Sequence, residues 1–120
     1  MKGRTYSFLR GLGVGSWLAG FAPLGEAIDR VWDAGYDNCA ISFTDLYSEL
    51  AEKYHMQRYA VEPSIRRLLD IAWRNPDGRA LMEQVMNAPL DRSPSVKRFT
   101  YAAADFLRSA EENEMLGYEE

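Results

Sequence analysis

"YAVEPSIRRLLDIAW", residues 59–73, decides the fold of this 120-residue chain. Val61, Ile65, Leu68 and Ala72 recur at steps of four, three and four, and Leu69 and Trp73 widen the stripe, so one side of a helix is built for burial. The opposite side shows Glu62, Arg66, Asp70 and Arg74. Pro63 stands near the start. Proline lacks an N–H and cannot bond the residue four back, so this helix tolerates it only by beginning near Ala60 and holding Pro63 in its first turn.

The same helical period extends in both directions. Upstream, a helix is expected from about Thr44 to Tyr54, capped by Ser42 or Thr44, with Leu46, Leu50, Ala51 and Tyr54 inward and Glu49 and Lys53 as a four-apart ion pair. Before it, Phe21 to Ala34 carries Leu24, Ile28, Val31 and Trp32 on one stripe, and Gly35 is placed to end that helix at positive φ. Arg4 to Leu12 reads as one more short helix. Downstream, Asp77 is expected to cap a helix with Leu81, Met82, Val85 and Met86 inward, closed by Asn87 and Pro89. Ser93 and Pro94 mark the start of a last helix with Phe99, Ala103, Phe106, Leu107 and Ala110 as its stripe. No alternating strand pattern occurs, so the expected fold is all-α, a compact domain of about five to six helices.

The junction at residues 51–65, "AEKYHMQRYAVEPSI", has the spacing of a helix-turn-helix. A small residue, Ala51, is followed by Tyr54 three later, Val61 ten later and Ile65 four beyond that, which are the positions where the two helices would meet. Many helical hairpins share this spacing. It therefore leaves two readings open: a helix that enters a DNA groove, and a helical protein-interaction module using the same surface.

Composition sets the frame for both. The chain is 47% hydrophobic and 27% charged, which suits one globular domain with a real core. No apolar run approaches the ~20 residues that span a bilayer. The opening residues are broken by Arg10, Pro23 and several glycines where a signal peptide would be continuous. A cytoplasmic protein with no membrane partner is expected. Cys39, the single cysteine, lies in an apolar stretch and reads as a reduced, buried thiol.

The net charge of −4 argues at first against a polyanionic partner. Its distribution does not. Glu111, Glu112, Glu114, Glu119 and Glu120 crowd residues 109–120, leaving 14 basic against 13 acidic groups in residues 1–108. The expected organisation is a helical domain over 1–108 followed by an acidic tail over 109–120.

Enzyme chemistry finds no footing. "GLGVGS", residues 11–16, has serine where a dinucleotide loop needs its last glycine and no strand before it, so it reads as a turn between helices. His55 is the one histidine, which leaves no metal cluster, and it is expected in a turn. Methionines and aromatics at helical spacing read as core rather than as a cofactor site. Neither a catalytic residue, a metal nor a cofactor is expected.

"LYSELAEKYHMQRYAVEPSIRRLLDIAW", residues 46–73, resembles without a gap the helix-turn-helix of the C-terminal effector domains of the sporulation master response regulators. Val61, Glu62, Ile65, Arg66, Ala72 and Trp73 keep the pattern of that family's recognition helix. "GLGVGSWLAGFAPLGEAI", residues 11–28, is similar to the family's opening, and "FTYAAADFLR", residues 99–108, to its closing helix. The resemblance covers residues 9–108. It implies a six-helix domain that binds double-stranded DNA in the major groove with the helix near residues 60–74, often as tandem copies on repeated sites, and controls transcription.

On that alignment Gln57, Arg58, Tyr59, Glu62, Ser64, Arg66 and Arg67 are the expected DNA-binding residues. Arg66 is assigned to a guanine through paired hydrogen bonds, Arg58 and Arg67 to phosphate or a neighbouring base, and Ser64 to phosphate or to a local cap of the helix. Burial of Val61, Ile65, Leu68, Ala72 and Trp73, with Arg58, Glu62, Arg66 and Arg67 exposed on one surface, is the structural counterpart. Departures are specific. Pro63 replaces a base-reading arginine of the family, and Arg67 replaces a histidine, so a different sequence preference is expected. The family's phosphorylated receiver has no counterpart here, which fits a stand-alone or cut relative. Arg74 to Val85, where the family includes a surface for the RNA polymerase sigma factor, matches poorly and leaves that partner, like a homodimer on tandem sites, open.

Overall fold

A computed structural model describes residues 1–35 and 41–117. Its helices are α1 (Gly3–Gly11), α2 (Phe21–Ala34), α3 (Phe43–Lys53), α4 (Val61–Arg74), α5 (Pro76–Met86) and α6 (Val96–Gly117), with a 3₁₀ turn, Arg58–Ala60, leading into α4. Among the described residues there is no strand. The all-α expectation holds, and the helices fall within a few residues of where apolar periodicity put them. Cys39 lies outside the described residues.

α2 packs along α6 and also touches α1, α3 and α4, so it forms the scaffold's centre. Leu24, Ala27, Ile28 and Val31 of α2 are fully buried with Phe99, Ala103 and Ala104 of α6 and Leu9 of α1. Phe8 stacks on Phe99 at 6.1 Å between ring centroids. Trp32 is only partly buried, at the edge of the core that its stripe predicted. Arg108, buried on α6, donates through Nη2 to the carbonyls of Val31 and Trp32 at 3.2 and 3.1 Å. A cation thereby satisfies the open carbonyl end of α2. Gly35 follows at φ 68, ψ −153, a region that glycine alone enters freely.

Several local expectations give way to neighbours in space. Glu49 and Lys53 do not pair with each other; Glu49 meets Arg30, and Lys53 meets Glu26, both on α2. Ser42 is the cap of α3, accepting from the Asp45 N–H at 3.2 Å. For α5 the cap is Asn75 and not Asp77, because Asn75 Oδ1 accepts from the Asp77 N–H at 3.2 Å and Pro76 takes the first helical position. α6 begins at Val96 rather than at Pro94, with Ser95 Oγ accepting from the Arg98 N–H at 3.3 Å. Asn87 does end α5, in the left-handed conformation. α6 runs unbroken past residue 108, and Glu114 reaches back to Arg4 on α1. No helix among the described residues is long and apolar enough to cross a membrane.

The segment between α1 and α2 lies against α4. At Gly20 a Cβ would stand 2.4 Å from the Ser64 carbonyl oxygen and 2.9 Å from the Ile65 Cα, so only glycine lets the chain approach the first turns of α4 this closely. "GLGVGS" begins at the end of α1 and continues into this turn segment.

Candidate nucleic-acid interface

The end of α3 is a tight reversal. His55 takes a left-handed φ of 55°, the Met56 N–H bonds the Ala51 carbonyl at 2.8 Å, and the His55 N–H bonds that of Glu52 at 3.4 Å. This is the two-bond pattern by which helices commonly end, here with histidine in place of the usual glycine. Gln57 is extended, Arg58–Ala60 make one 3₁₀ turn, and Val61 begins α4. Pro63 is therefore the third helical residue, where its missing N–H would have had no partner anyway. Val61, Ile65, Leu68, Leu69 and Ala72 are buried, and Ala51 packs in the same core. The helix-turn-helix spacing is realised.

The sequence-predicted site residues come together at the start of α4, though in two environments. Gln57, Arg58, Tyr59, Arg66 and Arg67 are exposed, Tyr59 at 76%. Ser64 is half-buried. Glu62 departs from expectation, being half-buried, because its carboxylate turns along the helix to Arg66. Arg66 Nη1 donates to both Glu62 oxygens at 2.9 and 2.8 Å. The Arg66 side chain is still 57% exposed, so this is a surface pair of low strength and not a buried one. Trp73, expected in the core, is half-buried, with the Arg79 guanidinium 4.0 Å above its ring.

Arg58 is held sideways. Its Nε donates to Ser48 Oγ at 3.1 Å, and its guanidinium lies 5.4 Å from the Tyr47 ring centroid, both partners on α3. A hydroxyl and a ring orient the cation and leave its charge uncancelled. Burial first, and the Glu62 carboxylate second, push the Tyr47 phenol above its usual value, against an opposing pull from Arg58. Tyr47 thus stays a neutral hydroxyl at the base of the site. Ser48 and Tyr47 were not foreseen as site residues; their one signal is that Ser48 lies on the face of α3 away from Leu46 and Leu50.

Along α4, Pro63, Arg66, Arg67, Asp70, Ile71 and Arg74 line an open groove on the outer face. Beside it a cleft joins Arg66 and Asp70 to Arg92, Ser93, Ser95 and Arg98. The last four escaped the sequence reading because they sit more than twenty residues from Arg66 and Asp70 in the chain and reach them only through the fold. The surface around α4 is thus a run of guanidinium groups on a rigid helix, fit to hold a polyanion through charge and an ordered edge through hydrogen bonds.

A protein-family model described as Sporulation initiation factor Spo0A C terminal matches residues 5–107. No curated protein matches the chain.

Proposed function

This chain belongs to the Spo0A C-terminal family, the DNA-binding effector domains of a sporulation regulator, and we propose on that footing that it is a sequence-specific transcription regulator reading the DNA major groove with α4. The observation that carries the reading is the pairing of an orderly helix-turn-helix with an arginine-rich outer face on its second helix. Arg66 is the base reader. Its side chain is 57% exposed on the outer face of α4, and its guanidinium is paired with the Glu62 carboxylate one turn away. On binding it exchanges that weak intrahelical pair for the O6 and N7 of a guanine. Arg58 and Arg67 hold phosphates, with Gln57, Tyr59 and Ser64 flanking them, and Glu62 holds Arg66 in place until DNA arrives.

Pro63 gives the reader a stiff start without a donor, so the sequence preference differs from that of relatives with arginine there. Side-by-side copies on repeated sites fit the family, and a cytoplasmic location follows from the reading. The experiment is a selection from random-sequence duplexes followed by titration over a range of salt. A shared motif, and affinity that falls linearly with the logarithm of salt, are expected. No enrichment and no binding at low salt would instead favour a protein-interaction module built on the same helix.

A further inference from the structure

We propose that the cleft between α4 and the α5–α6 connection is a second anchor for duplex DNA, a seat for one backbone phosphate held by Arg92 and Arg98 beside Arg66. The proposal rests on the reading of α4 as the DNA-facing helix. Arg92 and Arg98 are exposed, and neither guanidinium is in an ion pair among the described residues. Ser93 Oγ, in the lining, is shut off from water with no hydrogen-bond partner in the protein. A buried hydroxyl without a partner is costly, and a rotation of the Ser93 side chain toward an acceptor oxygen held in the cleft would relieve it. α6 starts here as well, since Ser95 lines the cleft and caps it, adding the partial positive charge of a long helix's first turn.

The cleft is built in advance of any ligand. Asn87 ends α5 in a fixed left-handed turn, and Glu83 accepts from the Leu90 N–H at 2.6 Å, which ties the connection down. Its charge selects the occupant. Three arginines are offset by Asp70 and Asp91, and Arg66 is also paired with Glu62, so the cleft carries at most a single net positive charge. That suits the one negative charge of a phosphodiester better than the roughly −1.5 to −2 of a phosphate monoester. Position agrees with charge, because Arg66 and Asp70 line both this cleft and the outer groove of α4. A duplex seated on α4 would bring its flanking backbone to Arg92 and Arg98.

The test compares the intact chain with the Arg92→Gln/Arg98→Gln double variant, and with Arg10→Gln as a control on α1. Each is titrated with a duplex the parent selects and with a scrambled duplex, over a range of salt, with melting curves alongside. The double variant should bind both duplexes less tightly by the same factor and make the salt dependence shallower by about one ion, with an unchanged melt. Arg10→Gln should match the parent. An unchanged slope in the double variant, while the parent binds, overturns this proposal and leaves the reading of α4 standing. Failure of the parent to bind DNA at low salt overturns both. Inorganic phosphate supplies the last arm: stabilisation of the parent by millimolar phosphate, lost in a double variant whose DNA slope is unchanged, would make the cleft a free-anion site and refute the DNA assignment.

Discussion

On the side of the molecule built by α1, α2, α3 and the far part of α6, basic residues face carboxylates. Lys2 meets Asp33, Arg4 meets Glu114, Arg30 meets Glu49, Lys53 meets Glu26 and Arg108 meets Asp105, with Arg10 the exception. From Arg58 to Arg98 the chain carries Arg58, Arg66, Arg67, Arg74, Arg79, Arg92, Lys97 and Arg98, and among the described residues only Arg66 stands in an ion pair. Three of the others lean on aromatic rings instead: Arg58 on Tyr47, Arg79 on Trp73 and Lys97 on Phe43. A carboxylate cancels a cation, whereas a ring positions it and leaves the charge in place. The total of −4 is therefore a poor guide to the partner, because many of its acids are spent on the scaffold side.

The contrast can be broken most forcefully from the scaffold side. Arg108→Ala removes a buried donor from two carbonyls at the end of α2, and should cost about 2–4 kcal/mol in urea unfolding. DNA affinity per folded molecule should not change. If Arg108→Ala weakened DNA binding and left stability intact, the division between the two regions would be wrong.

Arg67→Ala probes the other region. Arg67 is exposed and makes no ion pair among the described residues, so its loss should leave melting within about 0.5 kcal/mol of the parent. Titrations should show lower affinity on every duplex alike and a salt dependence shallower by about one ion. An effect confined to one base position would make Arg67 a reader instead of an anchor.

A smaller effect is expected from deleting residues 109–120. Five glutamates leave with them, including the Glu114 partner of Arg4. If the domain proper ends near residue 108, calorimetry should find the fold retained, and non-specific association should rise ~2- to 10-fold at low salt and converge with the parent at high salt. Weaker association after the deletion would mean that the body does not face DNA.

The smallest effect is alkaline. Hydrogen bonding to Asp33 raises Lys2 and hydrogen bonding to Glu26 raises Lys53 above the ordinary 10.5, while burial raises Tyr47 and Tyr54 above 10.0. All four groups hold their protons more tightly folded than unfolded. Their contribution is complete below the ordinary values and is lost as pH climbs through the raised ones. Because both lysine side chains keep 38% or more of their surface in water, melting temperature should decline only gently at first above pH 10. A rise there would reverse the sign of these interactions.

Much of this was legible in the sequence, for a physical reason. The stripes of α2 and α4 and the spacing from Ala51 to Ile65 record burial, which repeats with the helix turn and needs no knowledge of neighbours. Pro63 could be placed because its missing donor permits few positions. What failed depended on the third dimension. Glu49 and Lys53 suit each other by spacing, but α2 offers Arg30 and Glu26 across the helix interface. Glu62 faces solvent by its place on the helix, but its tie to Arg66 half-buries it. Arg92 and Arg98 carry no signal of a shared surface with Arg66, since the α5–α6 connection brings them there.

The central claim, that Arg66 reads a base from α4, is tested most directly by titrating Arg66→Ala and the parent against a selected duplex and its scrambled counterpart. The Arg66–Glu62 pair is exposed, so folding should barely change. A bidentate contact to guanine is worth roughly 1–3 kcal/mol of discrimination, so the variant should lose ~5- to 150-fold on the selected duplex and much less on the scrambled one, with preference relaxed at a single base position. Equal losses on both duplexes would contradict the claim and reduce Arg66 to one more phosphate contact.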